Sequence, residues 1–443
     1  MRKFLQLFLL VIFWPFCVCA DSGIIVEGWT EKIEVTNSGK KSEVFVELRV
    51  GNIPANTAIK SFALSFSKAR EIRIDAVVQD SKSADFSFRD NVLQVNFNKA
   101  KPANSKIGLY FSYEEIYKKI DKFLRQEIID IPPFARGAKA QVMFEFPGSF
   151  ESATLNPSII KSGNSFIYNN IVPPEGVKEI VKLTPSQSVW SVSVEAKISS
   201  DKTLKKVSAF VPNYFQSGSQ QVVDLMVKPS ATSFKERFEK GKRVFDFSSN
   251  DKSISILSSA RIFTGRNNRS QIIRNPANFL SISKSEINLL SPILNFIQQD
   301  KKNSNLPLYA RIGKFVHEFL HYDLSYANKL PQLSEILQKR AGVCTEFAHL
   351  YNSLARLANI PSVVIDGAAC GEYDSCRGHA WNMIYYNNDW IEVDPTWDLM
   401  SGVVSSSHVY LKDEGDEDVI IKYLEESGKI SSEVELTMKN LYL

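Results

Sequence analysis

Apolar residues fall on every second position along much of the chain up to about residue 265. From about residue 279 they fall on every third or fourth position. A two-residue period buries one face of a strand, and a 3.6-residue period buries one stripe of a helix. The chain therefore reads as β-rich first and mixed α and β afterwards. Ile33-Glu34-Val35 and Val44-Phe45-Val46-Glu47-Leu48-Arg49-Val50 alternate on either side of the turn-rich Thr36-Asn37-Ser38-Gly39-Lys40. Residues 92–97 and 141–146 read the same way, as do 189–195 and 207–212 further on. Ile116, Ile120, Phe123, Leu124 and Ile128 depart from this pattern. Their spacing predicts one helix over residues 113–129, stopped by Ile131-Pro132-Pro133.

At 443 residues the chain is too long for one ordinary domain. Thr184-Pro185-Ser186 reads as a linker. The expected division is a leader over 1–20, a β-rich domain with one helix over 21–187, a sandwich-like β domain over 188–275, and an α+β domain over 276–443. In the last of these, Ile287, Leu290, Leu294 and Ile297 predict a helix. Its regular part is expected to begin at Ser291-Pro292, as cap and first helical residue. Leu308, Ile312, Phe315, Val316 and Phe319 predict a second helix. After Pro361 strands return at 362–365, 381–386 and 390–393.

Arg2-Lys3, an apolar run over 4–16 and the small residues around Val18-Cys19-Ala20 have the layout of a secretory signal peptide. The run is short for a membrane span, so cleavage and export to the periplasm or medium are expected, with an uncleaved anchor as the alternative. Removal of residues 1–20 takes Cys17 and Cys19 with it and leaves Cys344, Cys370 and Cys376. Three cysteines in an oxidising compartment suggest one pair and one free thiol. Cys370 and Cys376 flank a five-residue loop and are the expected bridge; Cys344 is the thiol left over. A net charge of +4 with no dense basic block argues against a nucleic-acid partner.

Cys344 follows Gly342-Val343 and precedes Phe347, Leu350, Tyr351, Leu354 and Leu357, which stake out a helix ending near Ile360-Pro361. A cysteine in the first turn of a helix meets unpaired N–H groups that favour the thiolate and can also hold an oxyanion. Taken alone, such a cysteine is more often a small buried hydrophobe. His379 opens an apolar strand, Asn387-Asn388 supplies a turn, and Trp390-Ile391-Glu392-Val393-Asp394 returns. A two-residue turn sets Trp381 opposite Asp394 and makes His379 a diagonal neighbour of Asp394 on the same face. A three-residue turn would separate them. A carboxylate on one imidazole nitrogen leaves the other free to take the thiol proton. Glu392 and Asp398 are possible substitutes for Asp394.

These blocks resemble the transglutaminase-like superfamily core. The resemblance rests on Gly342-Val343-Cys344, the helix ending at Asn359-Ile360-Pro361, Gly367, His379-Ala380-Trp381-Asn382, and Trp390 through Asp394-Pro395-Thr396-Trp397. It covers about 279 to 411 and implies a papain-like α+β fold. It further implies Cys344 as nucleophile, His379 as base and acid, and Asp394 as the acid that orients it. The β segments upstream resemble those that precede such cores in exported bacterial proteins. The resulting expectation is acyl transfer or hydrolysis at peptide or glutamine-type amides, with water favoured as acceptor and no cofactor or metal required. A non-catalytic scaffold with the same fold is the alternative. The expected partners are a peptide or protein substrate and, for the β regions, another protein. No upstream side chain stands out as an oxyanion donor.

One motif competes. His317-Glu318-Phe319-Leu320-His321 fits the zinc-peptidase pattern if both histidines share one helical face. A third ligand is not evident at the usual spacing, and the resemblance instead makes this the helix before the nucleophile, followed by Tyr322-Asp323. The acidic run over 413–418 lacks calcium-loop spacing and reads as a solvated turn.

Overall fold

The structure is a computed structural model. It describes residues 23–36, 39–51, 53–54, 56–66, 71–116, 124–202, 207–210, 220–230, 234–239, 242–247, 251–265, 275–301, 303–327, 329, 331–370, 376–413 and 430–441. The expected leader and residues 414–418 of the acidic run lie outside the described residues, as do 117–123 of the expected helix. The chain divides into two compact units. The first holds 1–120, 126–150 and 156–181; the second holds 121–125, 151–155 and 182–443.

In the first unit an eight-stranded sheet runs Ile159–Ser162, Ser165–Ile171, Lys139–Glu145, Ile24–Val35, Gly39–Val50, Lys106–Ile116, Glu71–Gln79 and Lys82–Ser83. The alternation read from the sequence is what builds it. Along Gly39–Val50, Val44, Val46, Leu48 and Val50 are buried, and Phe45 between them is exposed. The helix expected over 113–129 is not formed at either described end. Lys106–Ile116 stays a strand through Ile116, hydrogen-bonded to Gly39–Val50 on one side and to Glu71–Gln79 on the other. Arg125–Ile131 is also a strand, and its buried positions include Arg125 and Glu127 beside Ile129 and Ile131. Charged residues on the buried face hid its alternation.

The second unit is where the chemistry-bearing residues lie. A four-stranded sheet is ordered Gln220–Pro229, Ser253–Thr264, Ser188–Ser200 and Ile430–Asn440. Its last strand, Ile430–Asn440, pairs antiparallel with residues 190–200 of Ser188–Ser200. Thr184-Pro185-Ser186 is no open linker: Val177–Pro185 is a strand, Thr184 is buried, and its Oγ1 accepts a hydrogen bond from the Ser406 N–H at 2.7 Å.

Among the described residues, four α-helices and a second four-stranded sheet follow. Helix α1 spans Lys284–Gln299 and begins seven residues ahead of Ser291. A capping box sets its start. Ser283 Oγ accepts from the Glu286 N–H, and Glu286 Oε2 accepts from the Ser283 N–H. Pro292 then sits inside the helix on its exposed side. The hydrogen bond it removes faces water, and burial of Leu290, Leu294 and Ile297 carries the helix through. Helix α2 is Leu308–Phe319, α3 is Leu333–Lys339 and α4 is Cys344–Leu357. Leu290, Leu294, Ile312, Val316, Leu350, Tyr351 and Leu354 meet in one core with Ile384 and Val393 from the sheet.

The sheet runs Asp389–Val393, Cys376–Tyr386, Ser362–Cys370 and Val409–Asp413, all antiparallel. Small residues let α4 approach it, as Ala348 packs on Val364 and Ala380 with Cys344 beside them. Gly367 is also required by space. A Cβ there would collide with the Val409 carbonyl and the Trp381 ring. Gly367→Ala is therefore expected to destabilise the protein by about 1–3 kcal/mol, the usual cost of overpacking. Thermal unfolding of the variant measures it.

Candidate active site

Cys344 is the first residue of α4. Val343, the N-cap, has extended backbone angles, and its N–H is held by Glu346 Oε2 at 2.8 Å. Gly342 permits that loop, since a Cβ there would press on the Glu346 side chain. The thiol is half-buried at the positive end of the helix. It hydrogen-bonds the His379 side chain and the Ala380 backbone N–H. Cys344 is also the one free thiol among the described residues, because Cys370 and Cys376 form a disulfide where the chain passes from Ser362–Cys370 to the strand that carries His379.

His379 reaches the site because the turn after it has the two-residue form. Tyr386 pairs with Asp389, and Asn387 and Asn388 both adopt positive φ, at 50° and 63°. Asparagine tolerates that region better than most residues. The pairing runs on to Asn382 and Val393, so Asp394 is brought to the His379 side of the hairpin. His379 Nε2 lies 2.9 Å from Asp394 Oδ2, which leaves Nδ1 for the thiol. Glu392 instead bonds Trp381 Nε1 at 3.3 Å, and Asp398 lies 3.7 Å from Lys182 Nζ. His379 thus joins Asp394 on one side and lies against Cys344 on the other, and Glu392 and Asp398 are engaged elsewhere.

Asp394 is completely buried. Its Oδ1 accepts the N–H groups of Thr396 and Trp397 at 2.8 and 3.3 Å, and its Oδ2 accepts from two imidazoles. The second imidazole is His408, whose Nε2 stands 3.1 Å away. Trp397 stacks on His379 with ring centroids 4.9 Å apart, and Lys182 Nζ donates to the Trp397 carbonyl at 2.7 Å.

The electrostatics follow from this packing. Burial pushes the Cys344 thiol up, but the His379 hydrogen bond and charge together with the Ala380 N–H outweigh it, and the thiol ends below its ordinary value of 9.0. Burial pulls His379 down, but the Asp394 charge and hydrogen bond and the Cys344 sulfur push it up to about 10. Burial raises Asp394, and the two histidines more than reverse this, holding it well below the usual carboxylate range. All three shifts run in the direction that favours thiolate beside imidazolium beside carboxylate.

The zinc motif is not assembled. Helix α2 stops at Phe319, and Leu320 turns extended at φ −96°, so His317 and His321 do not share a helical face. His317 Nδ1 instead donates to the Pro395 and Thr396 carbonyls at 3.2 and 3.1 Å, which braces the turn after Asp394. Glu318 and His321 are exposed. Two imidazoles and a carboxylate do converge at His379, Asp394 and His408, within 4.8 Å. Both nitrogen–oxygen pairs there are already at hydrogen-bond distance inside a closed core, so the cluster is a hydrogen-bonded one.

Two contributors carry no local sequence signal: His408 sits in a Ser-Ser-Ser-His stretch with no periodicity, and Lys182 is over two hundred residues from its partner. Tyr322 stands where the resemblance placed it, after the helix before the nucleophile. The exposed Tyr322 phenol lies beside Cys344, close enough for the Cys344 backbone N–H to favour its charged form.

A cysteine on a helix N-terminus, an imidazole on the facing sheet and a buried acid behind it sit in an α+β core of papain-like fold. Residues 297–395 match the Transglutaminase-like superfamily, so this stretch carries the transglutaminase-like core. Among solved structures, a candidate cysteine protease from Cytophaga hutchinsonii matches with 18% identity over 58% of this chain and 93% of its own, at a TM-score of 0.40. The periplasmic domain of TgpA from Pseudomonas aeruginosa matches with 16% identity over 47% of this chain and 91% of its own, at 0.27. An M1 zinc metallopeptidase from Deinococcus radiodurans matches with 8% identity over 41% of this chain and 45% of its own, also at 0.27. No curated protein matches the sequence.

Proposed function

We propose that the protein is an exported thiol enzyme that cleaves or transfers acyl groups at peptide or glutamine-type amides. The observation that carries this reading is the continuous contact from the Cys344 sulfur through His379 to the buried Asp394, with 2.9 Å between the last two. Cys344 Sγ attacks the amide carbon while His379 holds the proton taken from the thiol. His379 then gives that proton to the leaving nitrogen, and a thioester remains on Cys344. Water, deprotonated by His379, adds to the thioester and releases the acid; an amine in place of water would give a crosslink. Water is the favoured acceptor because it is in excess. Asp394 holds the ring in the orientation that presents Nδ1 to sulfur. The Cys370–Cys376 bridge supports an oxidising location, as does the leader-like N-terminus.

Tyr322 is the proposed oxyanion partner. Its phenol stands at the Cys344 N–H, where the negative oxygen of a tetrahedral intermediate would form, and it can turn its O–H to that oxygen. Tyr322→Phe is expected to lower kcat about 10²-fold, the usual loss for one such donor, and to leave Cys344 alkylation unchanged. Steady-state kinetics beside alkylation rates check both halves.

The proposal is tested by incubating the full chain with a mixture of glutamine-containing peptides, quenching in acid and weighing the intact protein. The expected result is an acyl adduct on Cys344 in wild type, new N-termini or deamidated glutamines in the peptides, and neither with Cys344→Ala. Peptides unchanged by wild type, with no adduct at any time point, would leave the protein a scaffold with an enzyme's fold.

A further inference from the structure

Four consecutive polar residues, Ser405, Ser406, Ser407 and His408, are each no more than 3% exposed. Buried polar groups persist when each has a partner, and this turn is held on every side. Ser406 takes most of the bonds: its N–H goes to Thr184 Oγ1 at 2.7 Å, its hydroxyl meets Ser188 Oγ at 2.8 Å, and its carbonyl accepts Trp190 Nε1–H at 2.9 Å and the Thr264 hydroxyl. Ser407 Oγ donates to the Cys370 carbonyl at 2.8 Å. The sheet of Ser188–Ser200 and Ser253–Thr264 thus supplies the bonds that fix the turn, and what the turn delivers to the site is His408.

The His408 ring has few neighbours. Nε2 faces Asp394 Oδ2 at 3.1 Å and Nδ1 faces the Ser405 carbonyl at 3.2 Å. The rings of Trp397, Trp381 and His379 enclose it, with centroids 4.8, 5.0 and 5.2 Å away. Asp394 and His379 are the ionisable groups that face it. Burial and the His379 charge both favour a neutral ring, and the single N–H of a neutral ring goes to the stronger, charged acceptor.

We infer that His408 is a positioning residue for the proposed reaction: its Nε2–H occupies the second lone pair of Asp394 Oδ2 and so keeps the shared proton on His379. The inference rests on the thiol-enzyme reading above and adds a part to it. A buried carboxylate oxygen that accepted from His379 alone would be more basic. The proton between ring and oxygen would move towards oxygen, His379 would become neutral, and the Cys344 thiolate would lose its counter-cation. The same logic gives the β sheet of this unit a task, since it is the frame that holds the turn bearing His408.

The test uses iodoacetamide alkylation of Cys344 in the full chain across pH 5 to 10, with the site read by mass spectrometry and folding by thermal melting. The variants are His408→Ala, His408→Gln, His408→Asn and His379→Ala. Losing one hydrogen bond to a charged group is expected to slow alkylation of His408→Ala about tenfold at pH 6 and to move the profile's midpoint upwards. Gln places an N–H donor near the Nε2 position, so His408→Gln is expected to stay within about threefold of wild type. Asn is too short to reach Asp394 and is expected to behave like the Ala variant, which keeps the comparison valid if His408→Ala does not fold. His408→Ala and His408→Asn profiles that superimpose on wild type, while wild type outruns His379→Ala, would overturn this inference alone. A wild-type profile no faster than His379→Ala would bring down the thiol-enzyme reading beneath it.

Discussion

Cys344→Ala is expected to lower turnover by about 10⁴-fold or more while leaving the melting temperature nearly unchanged. The first half follows from chemistry: without sulfur there is no thioester path, and what remains is the contribution of binding and oxyanion donors. The second half follows from packing. Cys344 is half-buried at a helix start beside the small apolar groups of Ala348, Val364 and Ala380, and alanine suits the first turn of α4. Turnover of a responsive peptide and a thermal scan on the same preparation check both. A residual rate near wild type would remove Cys344 from the chemistry, and a large fall in melting temperature would give it a structural role.

Asp394→Asn is expected to damage both activity and stability. Asp394 Oδ2 accepts two imidazole N–H groups and Oδ1 accepts two backbone N–H groups. An asparagine has one oxygen for these two pairs of donors. If its oxygen serves the Thr396 and Trp397 N–H groups, its NH₂ faces both histidines, and each ring must switch tautomer. His379 then no longer presents an acceptor to the thiol, and turnover is expected to fall about 10⁴-fold. Removing the charged member of a buried, paired cluster is expected to cost about 3–5 kcal/mol. The pH dependence separates this from a packing defect. Asp394 is held below its ordinary 3.8, so its contribution to stability is complete above that pH and is lost as pH falls below it. His379 responds more strongly: Asp394 raises it to about 10, so its contribution is complete below 6.5, whereas in Asp394→Asn a buried neutral ring must take up a proton on unfolding. Denaturant unfolding at pH 7 and at pH 5 is expected to show the difference between wild type and Asp394→Asn growing at the lower pH. A difference independent of pH would contradict this account of the acid.

Much of the site was legible because local rules set it. The Asn387-Asn388 turn fixes strand parity, parity puts His379 and Asp394 on one side, and a glycine two residues before Cys344 leaves room for the loop that caps α4. What failed to read did so for physical reasons. Ser283-Lys284-Ser285-Glu286 is a capping box that outranks Pro292 as the start of α1, because a proline facing water costs less than the apolar stripe gains. The strands at 106–116 and 125–131 resembled a helix in a window where apolar and charged residues are interleaved, and only pairing with distant strands resolves such a window. The zinc motif failed at one peptide unit, where Leu320 leaves the helical region. His408 and Lys182 reach the site through contacts across the chain, and no local pattern marks such contacts.

The pH dependence of Cys344 alkylation by iodoacetamide, in wild type and in His379→Ala, tests most directly whether sulfur and imidazole share a proton. Burial alone would raise the thiol above 9.0, whereas the His379 contact lowers it and the imidazolium persists up to about 10. Wild type is therefore predicted to reach half its maximal rate below pH 9.0 and to hold a plateau, with the His379→Ala midpoint at or above 9.0. Two superimposed profiles, each with a single midpoint at or above 9.0, would contradict the pairing of Cys344 with His379.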